Sequence, residues 1–223
     1  PSYENSLIQG IGGVTSATAV FDTNYSLLTT SPALNTGKNT VANLVLPAKD
    51  LKGKSRIIDT NVDIGAFERN KVQTITAAAL TKKYGDEPFT HGTASSGLPL
   101  EYTSSNTSIA IIENGKIKPV GTGTVTITLK QSGNDSEYDA ASQTDFILTV
   151  NKAALTVTAD NKLFFENGSV FKDFSVSYTG FVLGDTPSTA LGGAIAYGGT
   201  AVTATTIGNY VITPSGLTSL NYN

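Results

Sequence analysis

Cysteine, methionine and tryptophan are absent from the 223-residue chain, and His91 is its single histidine. Without cysteine there can be no disulfide, no thiolate metal ligand and no thiol nucleophile. With methionine gone too, the chain offers little to oxidants, which suits an extracellular setting. Charge is also scarce, at 15% of residues, with a formal net charge of −3. Lys and Arg do not cluster, so the electrostatic footprint of a nucleic-acid or anionic-membrane binder is excluded. No apolar run approaches the ~20 residues of a membrane-spanning helix. P-loop, zinc-metallopeptidase and nucleophile-elbow patterns are missing as well. The chain starts at Pro1 with no leader-like run, as expected of an internal piece of a longer polypeptide.

What is abundant is Thr, Ser, Gly, Asn and Val, a mixture that favours strands joined by turns. Three segments differ in habit. Residues 1–69 hold short apolar pieces (NSLIQGIGG, TAVFDTNYSLL, RIIDTNVDIGAFE) cut by Gly, Asn and Pro. Short strands with frequent turns fit two or three rungs of a parallel β-helix, each needing its neighbour to bury a face. Residues 70–152 alternate instead. GTVTITLK puts Val125, Ile127 and Leu129 on one face, Asn114-Gly115 signals a tight hairpin turn, and FILTV closes the segment. Five or six strands in about eighty residues is the sandwich pattern.

Residues 153–223 start that pattern again with LTVTAD, FSVSYTGF and GNYVITPSG, the last placing Tyr210 and Ile212 on one strand face. An internal echo links the two segments: ITAAALTKKYGD at 75–86 aligns with LTVTADNKLFFE at 155–166. Ala79, Lys82 and Tyr84 fall opposite Ala159, Lys162 and Phe164, which predicts two tandem modules. No equivalent of FILTV follows Tyr222. The last module is therefore expected to lack its final strand or to borrow pairing, leaving an edge exposed. Short connections (RNKVQTI at 69–75 and NKAALTV at 151–157) predict stiff junctions.

These stretches carry family resemblances. SPALNTG at 31–37 and DLKGKSRIIDTNVDIGAFE at 50–68 resemble the C-terminal end of bacterial surface parallel β-helix proteins. Lys52 stands where an acidic residue is usual there, and Phe67 where Tyr is common. GLPLEYTSSNTSIAIIENGKIKPVGTGTVTITLKQSGNDSEYDAA at 97–141 resembles the bacterial immunoglobulin-like modules of large adhesins, with Tyr138 as an edge anchor. SYTGFVLGDTPSTALGG at 177–193 and IGNYVITPSGLTSLNYN at 207–223 are similar to the MBG domain of secreted proteins. Where that family has Tyr-Gly, this chain has Phe165-Glu166 or a near neighbour. The resemblances imply an extracellular or outer-membrane-attached bacterial protein, with no activity and no cofactor.

Candidate sites read mainly as structural. His91 has only hydroxyl residues nearby in HGTASSG, so it is expected to be a strand or loop histidine. Asp59, Asp63 and Glu68 beside Arg56 could form a carboxylate groove for polysaccharide cleavage. Asp63 in the closing turn is better read as accepting backbone N–H groups or pairing with Arg. Asn134, Asp135, Glu137, Tyr138 and Asp139 form an acidic loop whose spacing matches no calcium loop. Asp185 reads as capping its own turn, LGDT. Tyr102, Tyr178, Phe181 and Tyr197 would stack on sugars only if they faced outward. A lysine–asparagine isopeptide crosslink is chemically possible, though spacing cannot place it. The sequons at Asn24, Asn106, Asn134 and Asn167 match chance in so Asn- and Ser-rich a chain.

The expected architecture is all-β: the end of a right-handed parallel β-helix (1–69), an Ig-like sandwich (70–152) and an MBG-type sandwich (153–223) short of its last strand. The expected role is a non-catalytic stalk or adhesive segment, with no catalytic, cofactor or metal residue assigned. Its partners would be surface glycans, host or neighbouring-cell proteins, and adjacent modules. The alternatives are the accessory tail of a β-helix polysaccharide-degrading enzyme, or a carbohydrate-binding module.

Overall fold

The structure is a computed structural model, and it describes residues 27, 28, 30–37, 39, 47–63, 67–134, 136–164 and 168–223. Among these the chain is all-β, with one short helix and one 3-10 turn. The expected rungs in NSLIQGIGG and most of TAVFDTNYSLL lie outside the described residues. Between residues 27 and 69 the described backbone is made of turns with an isolated antiparallel bridge, Lys49↔Ser55.

The chain packs as two compact units. One gathers the described residues of Pro1–Thr76 with Gly92–Leu100 and Lys130–Thr144; the other joins Ala77–His91, Glu101–Leu129 and Asp145–Asn223. The stretch 70–152 therefore contributes to both.

In the first unit, β1 (Ile75–Thr76) pairs antiparallel with β3 (Thr93–Ala94). In the second, β2 (Leu80–Lys83), β8 (Thr144–Asn151), β7 (Gly123–Lys130) and β4 (Glu101–Ser104) form a four-stranded sheet in the order β2-β8-β7-β4. Alternation sets its inner face. Val125, Ile127 and Leu129 of β7 and Phe146, Leu148 and Val150 of β8 are all buried. The outward Thr residues fit a pleated, half-solvated surface. The β2–β8 pairing is parallel, with Leu80↔Leu148 through Lys83↔Asn151 in register.

Beside this sheet, β5 (Ala110–Glu113) and β6 (Lys116–Pro119) form a hairpin closed at Asn114-Gly115. Both turn residues have positive φ, 50° and 71°. That is the turn whose twist matches the strands it joins, and Asn-Gly is the pair that adopts it without strain. Ile117 of β6 is fully buried.

Residues 153–223 also lie in the second unit. β9 (Thr156–Ala159) pairs antiparallel with β10 (Val176–Thr179), and β11 (Gly192–Gly198) with β12 (Thr213–Thr218). A helix of four residues, Pro187–Ala190, and the 3-10 turn Thr200–Thr203 connect them. The expected late strand starts further along than GNYVITPSG suggested, at Thr213. Val211 is drawn aside instead: its carbonyl accepts the Ala201 N–H at 3.1 Å, and its N–H goes to Thr200 Oγ1 at 3.0 Å. Tyr210 folds back so that its hydroxyl donates to the Thr206 carbonyl at 3.0 Å. Neither Tyr210 nor Ile212 therefore lies on a strand face. LNYN does borrow pairing, from the start of its own segment: Ala153 and Tyr222 form a parallel bridge.

Candidate functional site

In the second unit, side chains distant in sequence gather on one carboxylate. β2 ends in KKYGD, a tight turn in which the Asp86 carboxylate accepts the Lys83 N–H at 2.9 Å. Gly85 has φ +79°, and a Cβ built there would run into the Val182 side chain, so the turn needs glycine twice over. This turn presents Tyr84. A second turn, FVLGD, has Leu183 and Gly184 at positive φ and closes with the Asp185 N–H on the Val182 carbonyl at 3.0 Å. The Asp185 carboxylate does not cap that turn. Oδ2 accepts the Tyr84 hydroxyl at 2.9 Å and the Tyr222 hydroxyl at 2.7 Å.

The rings pack as well as the hydroxyls. Tyr84 and Tyr222 meet edge to face with centroids 5.5 Å apart, and Phe181 meets Tyr222 likewise at 5.4 Å. Aromatic pairs in this arrangement add to the area they bury. The Tyr222 hydroxyl also accepts the Val182 N–H at 3.0 Å. Burial, with the hydrogen bond and charge of Asp185, pushes the Tyr222 phenol up to about 12 and raises Tyr84 in the same direction. Thr122 Oγ1 adds a bond to the Leu220 carbonyl at 2.9 Å, and Lys152 Nζ one to the Ser219 carbonyl at 2.8 Å. Phenols held neutral on a carboxylate make a lock with no strong nucleophile. It joins residues 84 and 122 to residues 181–185 and 219–222, far along the chain.

The first unit has a polar counterpart. Asn134 Oδ1 accepts the N–H groups of Glu137 and Tyr138 at 2.7 and 2.8 Å, folding the acidic loop. Lys71 and Tyr138 form a parallel bridge, with Lys71 N–H on the Glu137 carbonyl at 2.7 Å. Lys71 Nζ then reaches the Glu137 carboxylate at 2.9 Å, and Arg69 Nη2 the Asp139 carboxylate at 3.2 Å. The hydrogen bond that Lys71 donates to the Glu137 carboxylate raises the Lys71 pKa. Gln73 Nε2 bonds Gln131 Oε1 at 2.6 Å and the Asp139 carbonyl at 2.7 Å. The acidic loop thus meets cations of its own chain. Asp135 lies outside the described residues.

The sequence-selected carboxylates of the first unit are knotted into its backbone. Asp63 and Glu68 are both 5% exposed. Asp63 Oδ1 accepts the Asn35 N–H at 2.6 Å and Oδ2 the Arg69 N–H at 2.8 Å. Glu68 Oε2 accepts the Asp63 N–H at 3.0 Å, while Oε1 faces Arg56 Nε at 3.5 Å. Burial, reinforced by the charges of Asp63 and Asp50, pushes Glu68 up to about 7 despite Arg56. Asp59 stays at the surface, accepting Asn35 Nδ2 at 3.3 Å.

Sequence reasoning missed Asp50 as a structural centre. Its carboxylate accepts N–H bonds from Lys52, Lys54 and Glu68 at 2.8, 2.8 and 2.9 Å. Burial opposes its ionisation, but these donors outweigh burial and hold its pKa below the usual value. The available signal was the D-x-K-G-K turn spacing. Lys52 Nζ rides over the Phe67 ring at 4.5 Å.

His91 is built into the second unit, with Nε2 2.8 Å from the Ala78 carbonyl and its ring against Phe146 at 4.6 Å. Tyr102 donates to the His91 carbonyl at 3.0 Å. Tyr102, Tyr178, Phe181 and Tyr197 are all half-buried, the last three packed on other rings. Lys54 Nζ donates to Asn70 Oδ1 at 3.0 Å. Among the described residues, no three His, Asp or Glu side chains gather to hold a metal ion. No described helix is long and apolar enough to cross a membrane.

These features define a class first: an all-β chain whose notable side-chain constellations fasten one stretch of backbone to another. A comparison with protein families is more particular. The MBG domain (YGX type) matches residues 155–223, so an MBG-type domain occupies the end of this chain. No curated protein matches it.

Proposed function

We propose that the chain is a non-catalytic structural or adhesive segment of a secreted or cell-surface bacterial protein, working as a stiff stalk. It comprises terminal coils of a parallel β-helix (1–69), an Ig-like module (70–152) and an MBG-type module (153–223). The observation that carries this reading is Asp185 accepting hydroxyls from both Tyr84 and Tyr222. A short linker alone leaves modules free to bend. A linker braced by buried side chains from both sides does not. The MBG match supports the surface setting.

The test is backbone ¹⁵N relaxation, comparing residues 77–129 with residues 153–223. A stalk requires one shared tumbling time, and Asp185→Ala should split it into two. Independent tumbling of the unaltered chain would overturn the proposal. Glycan-array binding that survives Asp185→Ala would move the assignment to a carbohydrate-binding module.

A further inference from the structure

The first unit holds an amine whose partner is a neutral amide. Lys54 Nζ donates to Asn70 Oδ1 at 3.0 Å and, among the described residues, forms no salt bridge. Lys71 of the same unit shows the usual choice, the carboxylate of Glu137. Asn70 is 8% exposed, and its other end is tied down too, with Nδ2 donating to the Asn134 carbonyl at 3.2 Å. An amine on one side and a carbonyl on the other fix which end of the amide is oxygen. The amide carbon lies one carbonyl bond beyond Oδ1, which puts it near attack distance of Nζ.

A carboxylate stands at the root of this pair. Asp50 is 7% exposed, and its Oδ1 accepts the Lys54 N–H at 2.8 Å. Its Oδ2 accepts the Glu68 N–H at 2.9 Å, so one side chain is anchored to the backbone of both segments. Burial opposes its ionisation, but the backbone donors, joined by the charge of Lys54, prevail and keep it an acceptor. The Glu68 carboxylate turns elsewhere, to the Asp63 N–H and Arg56. Asp50 is thus the group placed to move protons between the amine and the amide.

We propose that Lys54 and Asn70 join through an intramolecular isopeptide bond. The Nζ–Cγ bond forms and the Cγ–Nδ2 bond breaks. Nζ gives up two of the three protons of its ammonium form, Nδ2 takes up two, and that nitrogen leaves as ammonium. Asp50 relays the protons, and no oxidant, reductant or metal enters the balance. The product ties together positions 16 apart, across a stretch whose described backbone is made of turns with an isolated bridge. Such a tie restricts the unfolded chain in a way those turns do not. The proposal stands independently of the stalk reading, since all its groups lie in the first unit.

Intact-mass spectrometry of the full chain provides the test. The folded protein should weigh less than its sequence by one ammonia, and Lys54→Arg and Asn70→Ala should each restore the sequence mass. Proteolysis should release a branched peptide joining residues 54 and 70. After unfolding in urea, an amine-acylating reagent should label the other lysines and spare Lys54. Asp50→Asn should leave most chains at the sequence mass while their amide spectrum stays native. The full sequence mass in the folded, unaltered chain overturns the proposal. So does an ammonia loss that survives Lys54→Arg, which would mark an asparagine succinimide instead. Complete crosslinking of Asp50→Asn overturns the proton relay.

Discussion

Two stretches of this chain carry the same period-two apolar pattern and bury it to different depths. In β7 and β8 the inward residues are between 0% and 4% exposed. Leu155, just before β9, and Val157 within it remain half-exposed, and among the described residues from 155 to 223 the buried apolar ones are Ala201, Ala204 and Tyr222. Alternation chooses the face; the number of neighbours decides whether that face is covered. Among the described residues β8 has a strand on either side, and β9 has one sheet partner. What holds 155–223 to the rest of its unit is therefore concentrated in aromatic and carboxylate contacts around Tyr222.

The widest gap between the two stretches should appear on truncation. Leu148→Ala, at a fully buried site, should cost about 3–5 kcal/mol in urea unfolding, and Val157→Ala about 1 kcal/mol. Equal costs would remove the contrast.

Next come two pH effects in separate windows. Glu68 has its pKa raised from 4.5 to about 7 on folding. A raised pKa means that the native state binds the proton more tightly. The stability it contributes is complete below pH 4.5 and is lost as pH climbs through about 7. The loss is of order 3 kcal/mol, and Glu68→Gln should flatten that part of the curve. Tyr222 shifts the same way, from 10.0 to about 12. Its contribution is intact below pH 10.0 and fades toward about 12, again by roughly 3 kcal/mol. Denaturation followed between pH 4 and 12 at probes in each unit should show the two windows falling on different residues.

Asp185→Ala leaves two phenols without their shared acceptor and should destabilise the second unit by about 2 kcal/mol. A double-mutant cycle of Tyr84→Phe with Tyr222→Phe should show coupling, because both hydroxyls use one oxygen. The smallest effect belongs to the polar joint. Arg69→Gln should cost about 0.5 kcal/mol through the half-exposed Asp139 pair, and less at high salt.

Much of this was legible from the chain. The Asn-Gly turn, the faces of β7 and β8 and the role of Asp63 as an acceptor of backbone N–H groups follow from local rules. Asp185 was misread because LGDT is a self-sufficient turn whose carboxylate could have capped it. Its real partner Tyr84 is 101 positions away. The acidic loop had the composition of a cation site, and what distinguishes it is that Arg69 and Lys71 reach it from 70 and 66 positions away in sequence. The late strand was misplaced because Thr200 and Ala201 compete for Val211, and that competition leaves no trace in the alternation of GNYVITPSG.

The sequence by itself determined that this protein is built of strands, which residues face inward, and where the chain turns tightly. Those properties depend on backbone dihedrals and a two-residue period, both set within a few neighbours. Only the tertiary structure decided which carboxylate serves which cation or phenol, and how deeply each alternating face is covered. Such pairings require chain segments far apart in sequence to meet within hydrogen-bonding reach, and no local preference fixes that meeting.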